Sequence, residues 1–214
     1  MNENLIEAQY NVTKKSKLKK FYDENKIFLY SIIIALIVII VSYGFYTENK
    51  KKKNKFFAES YITAKTYLQN DNNIKATEDL KKIVFSDNTT YSTLALFLIL
   101  DKKLIEDKEE LLSLFNYVLE NNKYDEEIKN LIIYKKALFQ SDHVDENELL
   151  NILKPLISSD TLWKPHALLL LGDFFAYKGE YLKAEEFYLK ILSLKGLSKD
   201  FYDQAKSQLI LIKK

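Results

Sequence analysis

The chain of 214 residues contains no cysteine and no arginine, and it has only four glycines and two prolines. Without cysteine it has neither a disulfide framework nor a thiolate metal site. All 32 of its basic residues are lysines, which lack the planar fork with which arginine binds phosphate groups bidentately. The formal net charge is only +2, so we expect no nucleic-acid partner.

Patterns of catalytic residues are equally scarce. His143 lies in the stretch SDHVDEN, where Asp142 and Asp145 could complete a metal site, but the same stretch has the composition of a solvated loop that starts a helix. His166, the only other histidine, follows Pro165 at the beginning of a predicted helix and suits a surface or groove position better than the role of a base. No glycine-rich phosphate loop, nucleophile elbow or zinc pattern occurs, so we expect neither an enzyme nor a cofactor.

A long hydrophobic run stands out against this background. Residues 27–46, IFLYSIIIALIVIIVSYGFY, are twenty in number and carry no charge. A helix of that length spans roughly 30 Å, the thickness of the hydrocarbon core of a bilayer. Tyr30 near one end and Tyr43, Phe45 and Tyr46 near the other suit the two membrane interfaces. We predict an uncleaved membrane anchor, because the run is too long for a signal peptide and no small-x-small cleavage site follows it.

The segments on either side of the anchor are both rich in lysine. Residues 1–26 contain six lysines, and residues 47–55, TENKKKKNK, contain five, so the lysine count does not orient the anchor. The basic segment 1–26 is consistent either with a short interfacial helix on anionic lipid or with a solvated tail. We predict that residues 47–55 form a charged linker to the domain that follows.

Residues 56–214 read as a string of amphipathic helices. Apolar residues recur at spacings of three and four, as in Leu111, Leu114, Phe115 and Val118. Clusters rich in Asn, Asp and Ser separate these segments and suit helix caps and turns. We therefore predict an all-α domain with helices at 56–70, 74–85, 90–102, 106–121, 125–140, 146–157, 161–178, 180–194 and 199–212.

Two of the four glycines lie close together in the stretch LLLLGDFFAYKGEYLKAEEFYLKIL, residues 168–192. Gly172 and Ala184 would let the two helices of a hairpin cross closely, and Gly179 would end the first helix in the left-handed conformation. The same spacings occur 108 residues earlier, about three periods of 34–38 residues: Ala64, Tyr67, Ala76, Leu80 and Ile83 match Gly172, Phe175, Ala184, Tyr188 and Ile191. This register predicts four stacked hairpins plus a C-terminal helix, with a non-repeat helical bundle as the alternative.

The hairpin from Pro165 onward resembles a tetratricopeptide repeat, although Leu168 stands where that motif often has Trp and Ile191 where Ala is usual. The layout of the chain resembles the ancillary SecYEG translocon subunits of bacterial inner membranes, in particular their alpha-proteobacterial branch. The stretch LKPLISSDTLWKPHALLLLGDFFAYKG, residues 153–179, carries that resemblance. The family implies a cytoplasmic N-terminus, a single-pass anchor in the inner membrane and a periplasmic domain that contacts the translocon, client polypeptides and periplasmic chaperones.

The resemblance also implies where a partner binds, since the first helix of each hairpin lines the concave surface of such a stack. We expect the residues beside the core stripe of that helix to face the groove, unless they pack against the next hairpin or the ninth helix. These predicted partner-binding residues are Tyr61, Lys65 and Leu68 in the first hairpin, and His166, Leu169, Asp173 and Tyr177 in the last. The alternative function is an anchored assembly scaffold for another envelope complex, without a role in translocation.

Overall fold

The computed structural model describes the backbone of residues 3–86 and 88–213, and the side chains from residue 19 onward within those ranges. Over these residues the chain is helical and contains no strand, which confirms the all-α prediction. It divides into two compact units, Met1–Phe56 and Phe57–Lys214. The helices are α1 (Glu3–Gln69), α2 (Asn73–Val84), α3 (Thr89–Asp101), α4 (Lys108–Asn121), α5 (Glu126–Gln140), α6 (Glu146–Ser158), α7 (Lys164–Tyr177), α8 (Tyr181–Leu192) and α9 (Lys199–Ile212).

The first unit consists of most of α1, a helix of 67 residues. The predicted anchor lies within it, and its apolar side chains project into solvent; Ile27, for example, is 79% exposed. In the most apolar stretch of 18 residues of this helix, no residue is buried. Such a surface is costly in water and favourable in hydrocarbon. The chain therefore has one N-terminal helix that is long and apolar enough to cross a membrane.

The prediction of a charged linker at residues 47–55 needs correction, because this segment is helical and belongs to α1. For the same reason the helix predicted to begin at residue 56 is the last part of α1. The segment contains neither glycine nor proline, and lysine is a good helix former. Glu48 and Lys52 also form an ion pair of 4.0 Å one turn apart. High charge density was mistaken for a break in secondary structure.

The basic segment 1–26 is helical from Glu3 onward and is continuous with the rest of α1. The predicted choice between an interfacial helix and a solvated tail depends largely on Lys14, Lys15, Lys17 and Leu18. The side chains of these four residues lie outside the described part of the chain.

The second unit is a series of helical hairpins whose turns are set by side-chain caps. Five successive helices, α2 to α6, begin at an Asn or Asp whose side chain accepts a hydrogen bond from a backbone N–H of the first turn: Asn72, Asn88, Asp107, Asp125 and Asp145. Each such cap stabilises its helix by about 1 kcal/mol. The predicted Asn- and Asp-rich breaks are therefore the starts of helices, and the predicted boundaries are confirmed to within a few residues.

The core of the second unit falls into two clusters that meet at α5. Ile132 of this helix belongs to the first cluster, which runs from Ala64 to Ile132, and Ala137 belongs to the second, which runs to Leu209. The repeat register predicted from spacing matches the burial. Four residues of the early set are buried like their counterparts in the last hairpin: Ala64, Ala76, Leu80 and Ile83. The fifth, Tyr67, is only half-buried.

The crossing of α7 and α8 is built on Gly172. A Cβ atom at this position would lie against the ring of Tyr188, 2.7 Å from Cδ1 and 2.9 Å from Cζ. The Tyr188 side chain is fully buried, and its hydroxyl donates a hydrogen bond of 2.8 Å to Oδ1 of Asp173. Gly179 has a φ of +76° just after α7 and makes the turn into α8. Both predicted roles of these glycines are confirmed.

We predict that Gly172→Ala destabilises the protein by about 1–3 kcal/mol, because the added methyl group overpacks the crossing. The first hairpin places Ala64 and Leu80 at the same register as Gly172 and Tyr188. The smaller Leu side chain leaves room for alanine there. Gly172→Ala should therefore cost clearly less in a Tyr188→Leu background than in the wild type. Thermal unfolding of the full chain in detergent measures all four proteins, and additive costs would contradict the proposed clash.

Candidate functional site

The predicted partner-binding residues of the first hairpin divide into two groups. Lys65 and Leu68 line a depression of about 490 Å³ together with Leu98 of α3 and Leu104, which follows it. Tyr61 does not line it: its ring packs against the first core cluster and lies 6.1 Å from the ring of Tyr91 between centroids. The structure thus brings Lys65 and Leu68 together on one surface and gives Tyr61 a packing role.

The predicted partner-binding residues of the last hairpin are mostly engaged within the protein. His166 lies in an aromatic cluster with its ring centroid 5.5 Å from Tyr134 of α5, 4.8 Å from Trp163 and 4.6 Å from Phe201 of α9. Leu169 packs on the second core cluster. For these two residues the alternative of packing against neighbouring helices therefore applies, because α9 and α5 supply apolar partners that sequence spacing does not reveal.

Of the other two predicted residues, Asp173 is engaged within the protein and Tyr177 is exposed. Asp173 accepts the hydrogen bond from Tyr188, and burial raises the pKa of its carboxyl group, with that hydrogen bond opposing the shift. The pKa of the Tyr188 hydroxyl is raised by burial first and then by Asp173, so it stays protonated as the donor. Tyr177, in contrast, is 93% exposed. No single depression found in the described part of the chain combines the predicted residues of the first and last hairpins.

Another apolar surface, formed by none of the predicted partner-binding residues, lies on α3. Sequence spacing did not single it out. The helix reads TTYSTLALFLILD and lacks a polar face. One side of it, with Ala95, Leu96 and Ile99, is fully buried in the first core cluster. The other side carries Leu94, which is 40% exposed, and the half-buried Phe97, Leu98 and Leu100. We call these last four residues the α3 face. The signal of this face in the sequence is that the first twelve of the thirteen residues of α3 carry no charge.

Depressions line both edges of the α3 face. Towards α5, one of about 450 Å³ is bordered by Leu94, Phe97 and residues of α5, and one of about 460 Å³ continues from Phe97 to Leu138. Phe97 borders both, so the two depressions adjoin along α3, whose 13 residues extend about 20 Å, and we call them together the groove towards α5. Towards α1 lies the depression with Lys65 and Leu68. The α3 face is therefore a ridge between two grooves.

A hydrogen bond fixes one wall of the groove towards α5. The Thr93 hydroxyl donates to the Thr89 carbonyl at 2.9 Å and lies 2.8 Å from the hydroxyl of Tyr124, which therefore donates to it. Tyr124 belongs to the connection between α4 and α5, so this contact attaches the connection to α3. The rim carries charges of both signs: Asp101, Lys123, Asp125 and Lys135. An apolar floor with a mixed polar rim is the anatomy of a protein-binding surface.

The two histidines have different surroundings. Nδ1 of His143 accepts from the Lys108 ammonium at 3.3 Å, and Asp145, its potential co-ligand, is the cap of α6. In the described part of the chain no group of three metal-ligating side chains comes together. Burial lowers the pKa of His166, partly offset by a hydrogen bond to the Leu162 backbone. Its Nδ1 is buried and has no hydrogen-bond partner among the described residues.

Comparison of the chain with protein-family models, with curated proteins and with solved structures finds no match in any of the three. The resemblance seen in residues 153–179 therefore stays a resemblance. The features that bear on function are the length and apolar character of α1 and the surface of α3.

We predict opposite effects for two tyrosines that the sequence placed in one groove. Tyr61→Ser removes a ring packed between α1 and α3 and should cost about 1–3 kcal/mol in stability. Tyr177→Ser changes an exposed side chain and should stay within about 0.5 kcal/mol of the wild type. Thermal unfolding of the two single variants tests this, and equal destabilisation by both would show that the assigned faces are wrong.

We predict that protonation of His166 destabilises the fold. Its pKa in the folded protein lies below the ordinary value of 6.5, so the unfolded chain binds more protons as the pH falls through that region. The contribution of His166 to stability is therefore complete above about pH 6.5 and declines below it. His166→Phe keeps an aromatic ring in the cluster and does not titrate. Unfolding measured from pH 7.5 to 5 should give a steeper loss for the wild type than for this variant; parallel curves would contradict the assignment.

Proposed function

We propose that the protein is a membrane-anchored protein-interaction module whose binding surface is the α3 face with its two grooves. The observation that carries this proposal is that Leu94 is exposed, and Phe97, Leu98 and Leu100 are only partly buried, on a helix that has no polar side. A helix that is apolar all round is normally buried, and contiguous exposed apolar surface on a folded unit marks an interaction site. Here the core buries one side of α3 completely and the other side only in part.

The groove between α3 and α5 suits a short apolar segment of another protein. Its length of about 20 Å accommodates roughly three to four turns of an amphipathic helix, or about six residues of extended chain. Leu94, Phe97, Ile128 and Leu138 offer aliphatic and aromatic contacts without a deep, selective pocket. Several shallow contacts of this kind favour binding of varied apolar sequences over recognition of a single one.

We further propose that this module works as an ancillary subunit of the Sec translocon, with its N-terminus in the cytoplasm and its helical domain in the periplasm. The support for this step is the membrane-spanning character of α1 together with the family resemblance of residues 153–179. In that setting the α3 face would hold client polypeptides or periplasmic chaperones. This role requires no catalytic group.

Site-specific photo-crosslinking from Leu94 in living cells tests the proposal. Leu182 of α8 is the matched control, because it is also a leucine, is 86% exposed and lies in a different hairpin. We expect Leu94 to crosslink to translocon components, to chains in transit or to periplasmic chaperones, and Leu182 to give far fewer products. Equal yields from both positions would contradict the α3 face as the site.

The identity of the crosslinked partners decides the rest of the proposal. Products from Leu94 that belong to one unrelated envelope complex would overturn the translocon role and support an assembly scaffold. Products confined to cytoplasmic proteins would overturn the proposed orientation.

A further inference from the structure

The first unit carries a dense group of lysines immediately beyond its apolar segment. Five of the six residues at positions 50–55 are lysine, and the only acidic residue of the segment 47–55 is Glu48. All five lysines are exposed. Because this part of the chain is helical, the lysines are held on a rigid frame and are not spread along a flexible coil. We call Lys50, Lys51, Lys52, Lys53 and Lys55 the lysine collar.

The helix distributes the collar around its whole circumference. Successive residues of an α-helix are about 100° apart, so the four consecutive lysines 50–53 point in four different directions. Lys55 falls between the directions of Lys51 and Lys52. An amphipathic helix that lies on a membrane would instead carry its lysines on one side. A ring of lysines suits a helix that stands upright in the bilayer and meets headgroups on every side.

The position of the collar along the helix agrees with the headgroup layer. Tyr43, Phe45 and Tyr46 form the aromatic end of the apolar segment and are exposed. Lys50 is four residues beyond Tyr46, which corresponds to about 6 Å along the helix axis. The headgroup region of one leaflet is about 5–8 Å thick. The first lysines of the collar therefore come level with the phosphates when the aromatic residues occupy the interface.

We infer that the lysine collar binds the headgroups of anionic phospholipids on the side of the membrane where α1 leaves the bilayer towards the second unit. The ligand class follows from charge complementarity, since residues 47–59 hold five lysines against the two carboxylates of Glu48 and Glu59 and so keep a local excess of positive charge. The ligand class follows also from the position of the collar on the same helix as the apolar segment. When that segment lies in the bilayer, the phosphates next to the collar are those of lipids. This site is independent of the α3 face and of any partner bound there.

Lipid retention by the purified full chain tests the inference. The protein in detergent is incubated with equal amounts of dioleoyl-phosphatidylglycerol and dioleoyl-phosphatidylcholine, and bound lipid is counted by native mass spectrometry. Each lysine near a membrane surface strengthens anionic binding about fivefold. We expect the wild type to prefer phosphatidylglycerol by at least tenfold. Replacing all five collar lysines by glutamine, a comparable helix former, should lower this preference by about fivefold or more. The lysines of residues 1–26, on the other side of the anchor, can account for what remains.

Two control variants separate the collar from general charge. Arginine at the five collar positions keeps the charge and should keep the preference. Glutamine at five exposed lysines of the second unit removes the same charge elsewhere and should also leave it unchanged; these are Lys129, Lys154, Lys195, Lys199 and Lys206. Circular dichroism checks that each variant is helical. If the five-site variant fails to fold, the triple variant K50Q/K51Q/K52Q should still show a smaller loss of the preference for phosphatidylglycerol.

The inference is overturned if the wild type binds both lipids equally, or if the glutamine variants of the collar retain the full wild-type preference for phosphatidylglycerol. It is also overturned if the control glutamines in the second unit lower that preference as much as those in the collar. These outcomes do not depend on the crosslinking result for Leu94, because detergent-solubilised protein is measured without any protein partner.

Discussion

The contact between Gly172 and Tyr188 sets the geometry of the last hairpin. A large ring can lie directly on the backbone of α7 only because residue 172 has no side chain. The adjacent residue, Asp173, then supplies the acceptor for the Tyr188 hydroxyl, so that a polar tip buried at the crossing is satisfied. Glycine costs roughly 1 kcal/mol of helix propensity relative to alanine. A chain with four glycines accepts that cost here because the ring fills space that smaller side chains would leave empty.

The first hairpin solves the same packing problem with different residues. Ala64 and Leu80 are both fully buried at the matching register, and Ala76 corresponds to Ala184. At this register the first helix carries a slightly larger residue than the glycine of the last hairpin, and the second helix carries a smaller one than its tyrosine. No hydroxyl needs an acceptor there, and Lys65 stands where the last hairpin has Asp173. A repeat can therefore keep its geometry while its sequence diverges, provided that the two crossing residues change together.

Local sequence predicted what depends on local physics. Asn and Asp at the helix starts, the left-handed turn at Gly179 and the small residues at the crossings all act within one hairpin. The errors arose where contacts with residues distant in the sequence determine the packing, or where one helix continues through a segment that was expected to interrupt it. His166 meets Tyr134 and Phe201, each more than thirty positions away in the sequence, and no spacing rule anticipates this cluster. Residues 47–55 were predicted as a linker from charge alone, although nothing in TENKKKKNK prevents a helix.

The α3 face was missed because periodicity analysis seeks a helix with two unlike sides, and α3 has none. A helix of this composition is unfavourable at a surface unless something covers it, since each exposed aliphatic side chain forgoes about 1.5–3 kcal/mol of burial. Replacing Leu94 by a charged residue would remove that cost without touching the buried side formed by Ala95, Leu96 and Ile99. Stability of the isolated fold therefore accounts for Phe97, Leu98 and Leu100, which pack against the first core cluster, but not for the exposed part of Leu94. A partner that placed an apolar surface over Leu94, as in the proposed interaction, would recover that burial.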